Sequence, residues 1–566
     1  MENMKTRKGM ENMKTRKGME NMKTRKGMEN MKKRIFLLWV VGVMITLIFS
    51  PPGAGTSSAQ EKPQYGGTLI FAVGAEPPTY DAHRETSFSL IHPARPHYSL
   101  LLTFDPENYP KVVGELAESW TISKDYKTYN FKIRRGVKFH DGSTLTAHDI
   151  KATYDKIIFP PSGIISIRQA FYSPVEKVEV PDDYTVVFRL KHPSASFLVS
   201  LASPYNFIYK SDILSKDMRW YEKNILGSGP FKFVEHVSGS HWTGKRNEDY
   251  FVKGRPYLDG YQAIFIPDTG ARVAAVRSGR VMAEFRFFGP TQRDDVVKAM
   301  GDKIRVQEIP DVFCMLLFIN CEKKPFDDPR VRRALSLAID RWEGSRQLRK
   351  ISNMKEVGGL LRPGSNYSMS EAELVQLAGY SRDIEASRKE ARRLLKEAGI
   401  PEGFSFELKN RPPAKDYETA AVWLIDQWRQ IGLNVRQKMQ DLGTTYNDLR
   451  SGNFEVGIDG ISDYVDEPNL QLIRFISTEK SVSNKGHYSD KVLDDLYLKQ
   501  STEMDPVERE KIIRRIEKRV LDEKAYVIVL PWMHRILLHS TKLKGWKALP
   551  SLFLNQDLAN VWLGKE

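Results

Sequence analysis

The segment Gly114–Asp155, GELAESWTISKDYKTYNFKIRRGVKFHDGSTLTAHDIKATYD, constrains the fold of this chain more than any other. Apolar and polar residues alternate over 129–133, which predicts a half-buried β-strand. His-Asp-Gly at 140–142 predicts a turn. Thr146 then precedes Asp149 by three residues, the spacing of a capping box, and apolar residues continue at helical intervals. The segment therefore predicts a strand, a turn and a helix within a mixed α and β domain.

A second segment, Asn320–Arg341 (NCEKKPFDDPRVRRALSLAIDR), predicts a helix with a defined start. Asp328 stands at the capping position and Pro329 at the first helical position. Apolar residues then recur at i, i+3, i+4, i+7 and i+8, which is one face of an amphipathic helix. Further along, amphipathic stretches such as 385–398 alternate with short apolar runs such as 404–408. This alternation is typical of an α/β domain.

The sequence motifs of both segments resemble those of the peptide-type solute-binding proteins of bacterial ABC importers, the oligopeptide and dipeptide receptors of solute-binding family 5. The first segment carries E-L-A-E-S-W, F-K-I-R-x-G-V-K-F-H-D-G and L-T-A-x-D-I, and the second carries N…P-F-x-D-x-x-V-R-x-A-L-x-x-A-I-D-R. Gly227–Phe233 is similar to a strand entry of the family, and Lys544-Gly545 is similar to its closing motif. The resemblance covers nearly all of residues 64–546.

The resemblance implies an α/β, two-lobed periplasmic binding protein fold of the cluster C type. It has an extra domain on one lobe and a ligand cleft at the lobe interface. The order of motifs predicts lobe one from 60–86, 206–312 and 525–566, the extra domain from 87–205, and lobe two from 313–524. The chain is expected to cross between the lobes near Leu316–Asn320 and Val527–Trp532. Residues 1–59 are expected to be a repeat-extended N-terminus and a signal peptide.

The N-terminus has the features of a processing segment. Three copies of MENMKTRKG and the start of a fourth leave the start codon open among Met1, Met28 and Met31. A basic triplet then precedes an apolar run of fifteen residues, Ile35–Phe49, and small residues lead to Ala59. We expect a secretory signal peptide cleaved near Ala59 and a periplasmic product, with an uncleaved anchor as the alternative. No lipobox cysteine is present, so a lipid tether is not expected.

Composition excludes several function classes. The 566 residues are too many for one core, and 41% hydrophobic with 28% charged residues is ordinary for a folded protein. The net charge is +15, but +8 of it lies in the first 59 residues, and no compact basic stripe with aromatics follows. We therefore expect no nucleic-acid partner. Cys314 and Cys321 would lie roughly 23 Å apart on an extended strand, so no disulfide is expected.

No catalytic, metal or cofactor motif stands out. Gly239–Lys245 fits G-x-x-x-x-G-K, but Arg246 follows where a phosphate loop needs Ser or Thr, so a hairpin turn is the better interpretation. His140 and His148 are expected to be surface or hydrogen-bonding residues rather than metal ligands. The sequence contains no H-E-x-x-H, G-x-S-x-G or C-x-x-C.

Candidate ligand contacts come from the resemblance. In peptide-binding members, an Asp in G-W-x-x-D-Y-x-D/E-P pairs with the peptide α-amino group. The match here is Gly460–Pro468 (GISDYVDEP), which keeps Asp463-Tyr464 and the acidic-Pro step, lacks the Trp and is shifted by one residue on each side. Asp463 is therefore predicted to bind the ligand, with a capping or surface carboxylate as the alternative. Tyr464, Trp242 and Tyr98 are predicted aromatic walls, with core positions as the alternative.

A basic run after the second motif has two interpretations. Its members are Arg346, Arg349, Lys350, Lys355 and Arg362. It is either a solvated surface or the lining of an anion site for a peptide carboxylate or an acidic solute.

The predicted function is a secreted, non-enzymatic receptor that captures a small peptide and delivers it to an ABC permease. The permease and ATPase are expected on separate chains, the receptor as a monomer, and membrane contact only through the permease. We expect no cofactor and no metal. One alternative keeps the fold but changes the ligand to a nickel chelate, an oligosaccharide or an opine. Others are a periplasmic enzyme and a chaperone.

Overall fold

The largest sheet takes its strands from distant parts of the chain. This computed structural model describes residues 61–411 and 415–565, so the predictions for the signal segment lie outside the described residues. Eight strands form the sheet, and we call it and the elements packed on it the first lobe. Seven of them run side by side in this order: Ile304–Pro310, Trp532–Ser540, Ala283–Glu284, Thr68–Val73, Gly260–Phe265, His241–Arg246 and Phe231–Val237. The eighth, Met354–Glu356, pairs with the start of Trp532–Ser540.

A second sheet of five strands defines the second lobe. Its order is Asn434–Met439, Ser405–Asn410, Val456–Ile461, Cys314–Ile319 and Val527–Val529. The first three strands are parallel, and Cys314–Ile319 runs antiparallel to both of its neighbours. Every residue of Cys314–Ile319 is buried, as expected for an apolar strand in the middle of a covered sheet.

The extra domain contains a four-stranded antiparallel sheet, in the order Ala117–Ile122, Thr128–Ile133, Thr185–Leu190 and Val175–Asp182. The strand predicted at 129–133 is thus confirmed. The predicted helix is Ala147–Ile158, and the backbone N–H of Thr146 donates to Asp149 Oδ2 at 2.8 Å. Two short ribbons complete the strands: Leu102–Phe104 with Val112–Gly114, and Leu543–Lys544 with Trp562–Leu563.

The α-helices of the described part cover or connect these sheets. In chain order they are Phe88–Ala94, Ala147–Ile158, Phe197–Leu201, Ser211–Lys216, Thr269–Arg277, Pro290–Met300, Pro329–Leu337, Arg346–Ile351, Glu371–Leu374, Ile384–Glu397, Lys415–Arg429, Leu442–Ser451, Pro468–Leu472, Lys491–Thr502 and Pro506–Lys518. Asp328 caps the predicted helix at Pro329–Leu337 by accepting from the backbone N–H of Arg330. Across residues 61–411 and 415–565, no helix combines the length and apolarity needed to cross a membrane.

The chain changes sheets twice between the lobes. After Ile304–Pro310 it passes through 311–313 into Cys314–Ile319, and after Val527–Val529 it passes through 530–531 into Trp532–Ser540. The second crossing lies in the expected range. The first occurs a few residues before the expected Leu316–Asn320, because that apolar run is buried within the second sheet as a strand.

The structure also bears on two smaller predictions, the hairpin turn at the phosphate-loop match and the absence of a disulfide. Gly239 has a positive φ in the turn between Phe231–Val237 and His241–Arg246, so the phosphate-loop match is a hairpin. Cys314 and Cys321 are free thiols, the first buried and the second half-buried.

Candidate functional site

The carboxyl ends of the parallel strands in both sheets face the boundary between the lobes. In the first lobe, Ile304–Pro310 runs in the same direction as Thr68–Val73, and the chain leaves its carboxyl end for the second lobe. In the second lobe, Cys314 pairs with Ile461, so the crossing arrives beside the carboxyl end of Val456–Ile461. Ligands of open α/β sheets bind outside the carboxyl ends of strands. The lobe boundary is therefore the candidate ligand site.

Asp463 lies at this boundary, two residues beyond the end of the Val456–Ile461 strand. Arg474 follows the short helix Pro468–Leu472 and donates to both carboxylate oxygens of Asp463, at 2.9 and 3.3 Å. The two side chains are 15% and 13% exposed, so the pair is shielded but reachable. Asp463 is thus a fixed carboxylate held by a cation of its own lobe. No pattern in the sequence pointed to this partner.

Tyr464 of the second lobe contacts both the extra domain and the first lobe. Its ring centroid is 6.2 Å from that of Phe171 and 6.4 Å from that of Tyr205. The half-buried side chain packs against the core of the extra domain and against the core of the first lobe. Burial raises the pKa of its phenol. Tyr464 therefore lies where all three parts meet.

Trp242 and Tyr98 belong to the core of the first lobe. Both side chains are fully buried. The indole N–H of Trp242 donates to Nε2 of His97 at 2.8 Å, and the ring of Tyr98 stacks on Phe207 with centroids 4.4 Å apart. Neither side chain reaches the lobe boundary in this structure, so the structure gives them the core positions that the sequence left as the alternative.

A cavity of about 170 Å³ lies between the extra domain and the second lobe. Its lining residues are Phe104, Pro110, Ala195, Val199, Leu361, Ser365, Asn366, Tyr367, Val465, Asp466, Glu467, Pro468, Gln471 and Arg509. Small-molecule clefts usually enclose roughly 300–1,000 Å³. The cavity is thus smaller than the usual range for a small-molecule site.

The charged groups of the cavity wall are paired. Arg362 donates to both oxygens of Asp466 at 2.8–3.0 Å, with both side chains buried. Arg509 donates to Glu467 at 2.5 Å and also to Gln500. Glu467 is the acidic residue of the acidic-Pro step, and Asp466 precedes it. No pattern in the sequence pointed to their ion pairs, because the two arginines are distant in the chain.

Hydrogen bonds join the extra domain to the second lobe. The hydroxyl of Tyr109 donates to Asp466 Oδ2 at 3.0 Å, and Asn469 Nδ2 donates to Ser196 Oγ at 2.8 Å. The backbone N–H of Ala195 donates to the carbonyl of Ser501 at 3.0 Å. In this structure the extra domain and the second lobe are therefore in direct contact.

The predicted basic run does not form one surface. Arg346 pairs with Glu343 in an exposed ion pair, and Arg349 donates to the carbonyl of Trp342. Lys355 lies beside the second crossing, with its Nζ 3.9 Å from Glu308 of the first lobe, and Arg362 reaches the lobe boundary, where it pairs with Asp466. Among residues 61–411 and 415–565, no three His, Cys, Asp or Glu side chains gather into a possible metal site.

Comparison with known proteins gives extensive matches. Residues 111–482 match the family described as bacterial extracellular solute-binding proteins, family 5 middle. The glutathione-binding protein GsiB of Salmonella choleraesuis is 27% identical over 513 residues, 87% of this chain and 94% of the relative. The oligopeptide-binding protein AppA of Bacillus subtilis is 27% identical over 569 residues, 94% of this chain and 99% of the relative.

Solved structures share the fold. AppA of Bacillus subtilis in complex with a nonapeptide aligns with a TM-score of 0.70 and 25% identity, over 89% of this chain and 100% of that one. AgaA of A. tumefaciens in complex with agropinic acid aligns with a TM-score of 0.71 and 26% identity, over 88% and 99%. The two-lobed architecture with a cleft at the lobe interface is therefore that of periplasmic binding proteins.

Proposed function

Because this chain belongs to family 5 of the bacterial extracellular solute-binding proteins, we propose that it captures a small peptide outside the inner membrane and delivers it to an ABC import permease. The names of its relatives, which bind glutathione and oligopeptides, support a ligand built from amino acids. The permease and the ATPase are separate chains in this proposal. The receptor works as a monomer, leaves every bond of its ligand intact and contacts the membrane only through the permease.

The pair of Asp463 and Arg474 at the strand ends is the observation that carries the proposal. Arg474 holds the carboxylate in one orientation, and a peptide ammonium shares it from the cleft side. A charge-assisted hydrogen bond of this kind is stronger than one between neutral groups. Tyr464, next in the chain, supplies an aromatic wall beside it. Trp242 and Tyr98 are left out because they are buried in the first lobe.

Binding is coupled to closure of the two lobes. The bonds from Tyr109 to Asp466 and from Asn469 to Ser196 exist only when the extra domain meets the second lobe. A ligand that contacts both lobes makes more contacts in the closed state than in the open state. It therefore shifts the equilibrium between open and closed lobes toward the closed state. The two chain crossings at 311–313 and 530–531 are the hinge in this proposal.

The residue boundaries and the export route are further parts of the proposal. We assign 60–86, 206–312 and 525–566 to the first lobe, 87–205 to the extra domain and 313–524 to the second lobe. The sheet membership of most strands supports this division. Val527–Val529 nevertheless belongs to the second sheet, Met354–Glu356 pairs with the first sheet, and Tyr98 packs in the core of the first lobe. The signal peptide is cleaved near Ala59, and the mature receptor is periplasmic.

Ligand capture tests the proposal directly. The protein is purified from the cells that express it, and small molecules carried with it are identified by native mass spectrometry. Thermal unfolding is then followed with di- to pentapeptides, glutathione, nickel chelates and oligosaccharides. A ligand at a hundred times its dissociation constant stabilises by about 2.7 kcal/mol. Stabilisation by a sugar or a metal chelate and by no peptide would overturn the peptide assignment. Recovery of a cleaved peptide would overturn the receptor role.

A further inference from the structure

Arg286 lies at the lobe boundary on the first-lobe side. It comes two residues after the strand Ala283–Glu284, whose carboxyl end meets that of its parallel neighbour Thr68–Val73. Two residues further on, the carbonyl of Phe288 accepts a hydrogen bond from Asn353 Nδ2 at 3.0 Å. Asn353 precedes a strand that pairs with Trp532 and Met533, directly after the second crossing. The segment that carries Arg286 therefore lies next to the second crossing.

The guanidinium of Arg286 has aromatic neighbours and no acceptor. Its central carbon lies 4.3 Å from the ring centroid of Phe88 and 5.1 Å from that of Phe287. Within the described part of the chain, its buried Nε has no hydrogen-bond partner and no carboxylate lies within 4 Å of its nitrogens. A guanidinium has five N–H donors and accepts nothing. Leaving such a group without acceptors in a half-buried place costs free energy.

The arginines around Arg286 are satisfied by the protein itself. Arg272 donates to the carbonyls of Ile266 and Pro267 at 2.9 and 2.6 Å. Arg535 donates to the carbonyls of Phe285 and Arg286 at 2.6 and 3.1 Å. Arg286 differs from both because its donors are unused while its side chain remains half-buried.

The local charge balance is positive. Glu284 and Asp311 are the carboxyl groups that act on the Arg286 guanidinium, together with the like charge of Arg272. Burial raises the pKa of Glu284 to about 7, so this carboxyl is only partly ionised near neutral pH. Burial also raises the pKa of Asp311 to about 6. An anionic group arriving from outside meets an excess of positive charge here.

We propose that Arg286 binds a carboxylate of the ligand, so that the receptor selects solutes with an anionic end. The inference rests on the proposed function, since it takes the ligand to lie between the lobes. The planar guanidinium can donate two parallel hydrogen bonds, one to each oxygen of a carboxylate. The rings of Phe88 and Phe287 hold the guanidinium in place before the ligand arrives. The carboxylate comes either from a peptide C-terminus or from an acidic side chain.

Three peptides separate these two sources in calorimetric titrations. They are a tripeptide with a free C-terminus, its C-terminal amide, and an amide of the same length with one Asp. If the terminus is the source, wild type binds the free acid about 10- to 100-fold more tightly than either amide. If the side chain is the source, the Asp-containing amide is favoured by a similar factor. Equal affinity for all three would overturn the inference and leave the peptide receptor standing.

The variant Arg286→Met links the preference to this residue. It is expected to bind all three peptides with the affinity that wild type has for the plain amide. Arg135→Met is the matched control, because Arg135 is an exposed arginine over the ring of Tyr184 in the extra domain. Its preference should equal that of wild type. If Arg286→Met does not fold, Arg286→Gln keeps the chain length without the charge. A full acid preference in either Arg286 variant would refute the role.

A second readout does not depend on peptides. Thermal unfolding is compared in sodium acetate and in sodium chloride at equal ionic strength. Acetate should stabilise wild type and Arg135→Met above chloride, and this difference should be smaller in Arg286→Met, which keeps only the general salt effect. If no peptide binds wild type, the proposed function fails, and the acetate result still decides whether Arg286 is an anion site. An equal acetate effect in wild type and Arg286→Met would overturn it.

Discussion

The hydroxyl of Tyr109 and the backbone and side chain of Asp466 form a two-way contact between the extra domain and the second lobe. Tyr109 donates to Oδ2 of Asp466 at 3.0 Å and accepts from its backbone N–H at 3.1 Å. The phenol is thus both donor and acceptor across the boundary. Burial raises its pKa, so it remains protonated at physiological pH. This contact belongs to the closed arrangement of the lobes.

Replacing Tyr109 by Phe removes both hydrogen bonds and keeps the ring. We expect the closed state to lose stability and ligand affinity to fall about tenfold, because closure and binding are coupled. Small-angle scattering without ligand should give a larger radius of gyration than wild type. Tyr126→Phe is the control, since Tyr126 is 42% exposed on a turn of the extra domain. Unchanged affinity and scattering in Tyr109→Phe would show that the contact does not govern closure.

Asp463→Asn tests the proposed ammonium contact. Wild type should bind a peptide with a free amine more tightly than its N-acetylated form, and the variant should lose this preference. The expected loss for the free-amine peptide is about 2–5 kcal/mol, because a buried ammonium would face a neutral amide. Calorimetric titration of both peptides measures it. Asp495→Asn serves as control, since Asp495 lies in an exposed helical pair with Lys491. A retained amine preference in Asp463→Asn would remove this residue from the site.

His97 makes the stability of the first lobe depend on pH. Its Nδ1–H donates to the carbonyl of Phe231 at 2.8 Å, and its Nε2 accepts from Trp242, so no place remains for a second proton. Burial lowers the pKa of His97 to about 3. An unfolded histidine titrates near 6.5. Between these two values the unfolded state binds the extra proton, so the free energy of unfolding falls as the pH is lowered from about 6.5.

The variant His97→Gln should change the slope of this dependence. Glutamine offers one donor and one acceptor but does not titrate in this range. Urea unfolding between pH 4 and pH 6 should give a slope of the unfolding free energy against pH that is smaller by about 1.4 kcal/mol per pH unit. His83 and His92, whose pKa values burial also lowers to about 3, remain in both proteins and cancel in the comparison. Identical slopes would contradict the neutral, buried state of His97.

Lys156 and Asp81 form a buried ion pair that joins the first lobe to the extra domain. Lys156 Nζ lies 2.5 Å from Asp81 Oδ2, and the hydroxyl of Tyr209 donates to the other oxygen at 3.1 Å. Lys156→Met leaves a buried carboxylate without its cation, and we expect a loss of about 3–5 kcal/mol in the free energy of unfolding. Urea denaturation measures this loss.

A matched lysine on the same helix provides the control. Lys151 pairs with Asp155 at 2.5 Å, but the two side chains are 39% and 35% exposed, so Lys151→Met should cost less than about 1 kcal/mol. Adding Asp81→Asn to Lys156→Met should restore part of the stability, because the unpaired charge is removed. Equal losses for the two lysine variants would show that burial does not matter to the pair.

The sequence predicted local structure well where neighbours along the chain decide it. The strand at 129–133, the capping box of Thr146 and Asp149, and the helix that starts at Pro329 depend on residues within a few positions. The family and its two-lobed fold followed from long motifs of the same kind. Such features need no knowledge of what packs on them.

The site was less predictable because its partners are distant in sequence. Tyr109 and Asp466 are 357 positions apart, and no local pattern joins them. Trp242 has an aromatic ring and a polar N–H, which suit a ligand wall and a core equally well. Only the position of His97 beneath the sheet shows that the N–H is satisfied inside the lobe. No pattern in the sequence pointed to Arg286, because a guanidinium without hydrogen-bond acceptors can be recognised only when its neighbours in the folded protein are known.

The pairing of Trp532–Ser540 with Ile304–Pro310 and Ala283–Glu284 has a consequence for how the molecule is made. The first sheet lacks an inner strand until the last part of the polypeptide is available, whereas the Ser405–Asn410, Asn434–Met439 and Val456–Ile461 strands are already complete. Pairing across such long separations is slow. A chain emerging from a ribosome or a translocation channel therefore stays half-assembled until its final segment arrives, and only then becomes resistant to proteases.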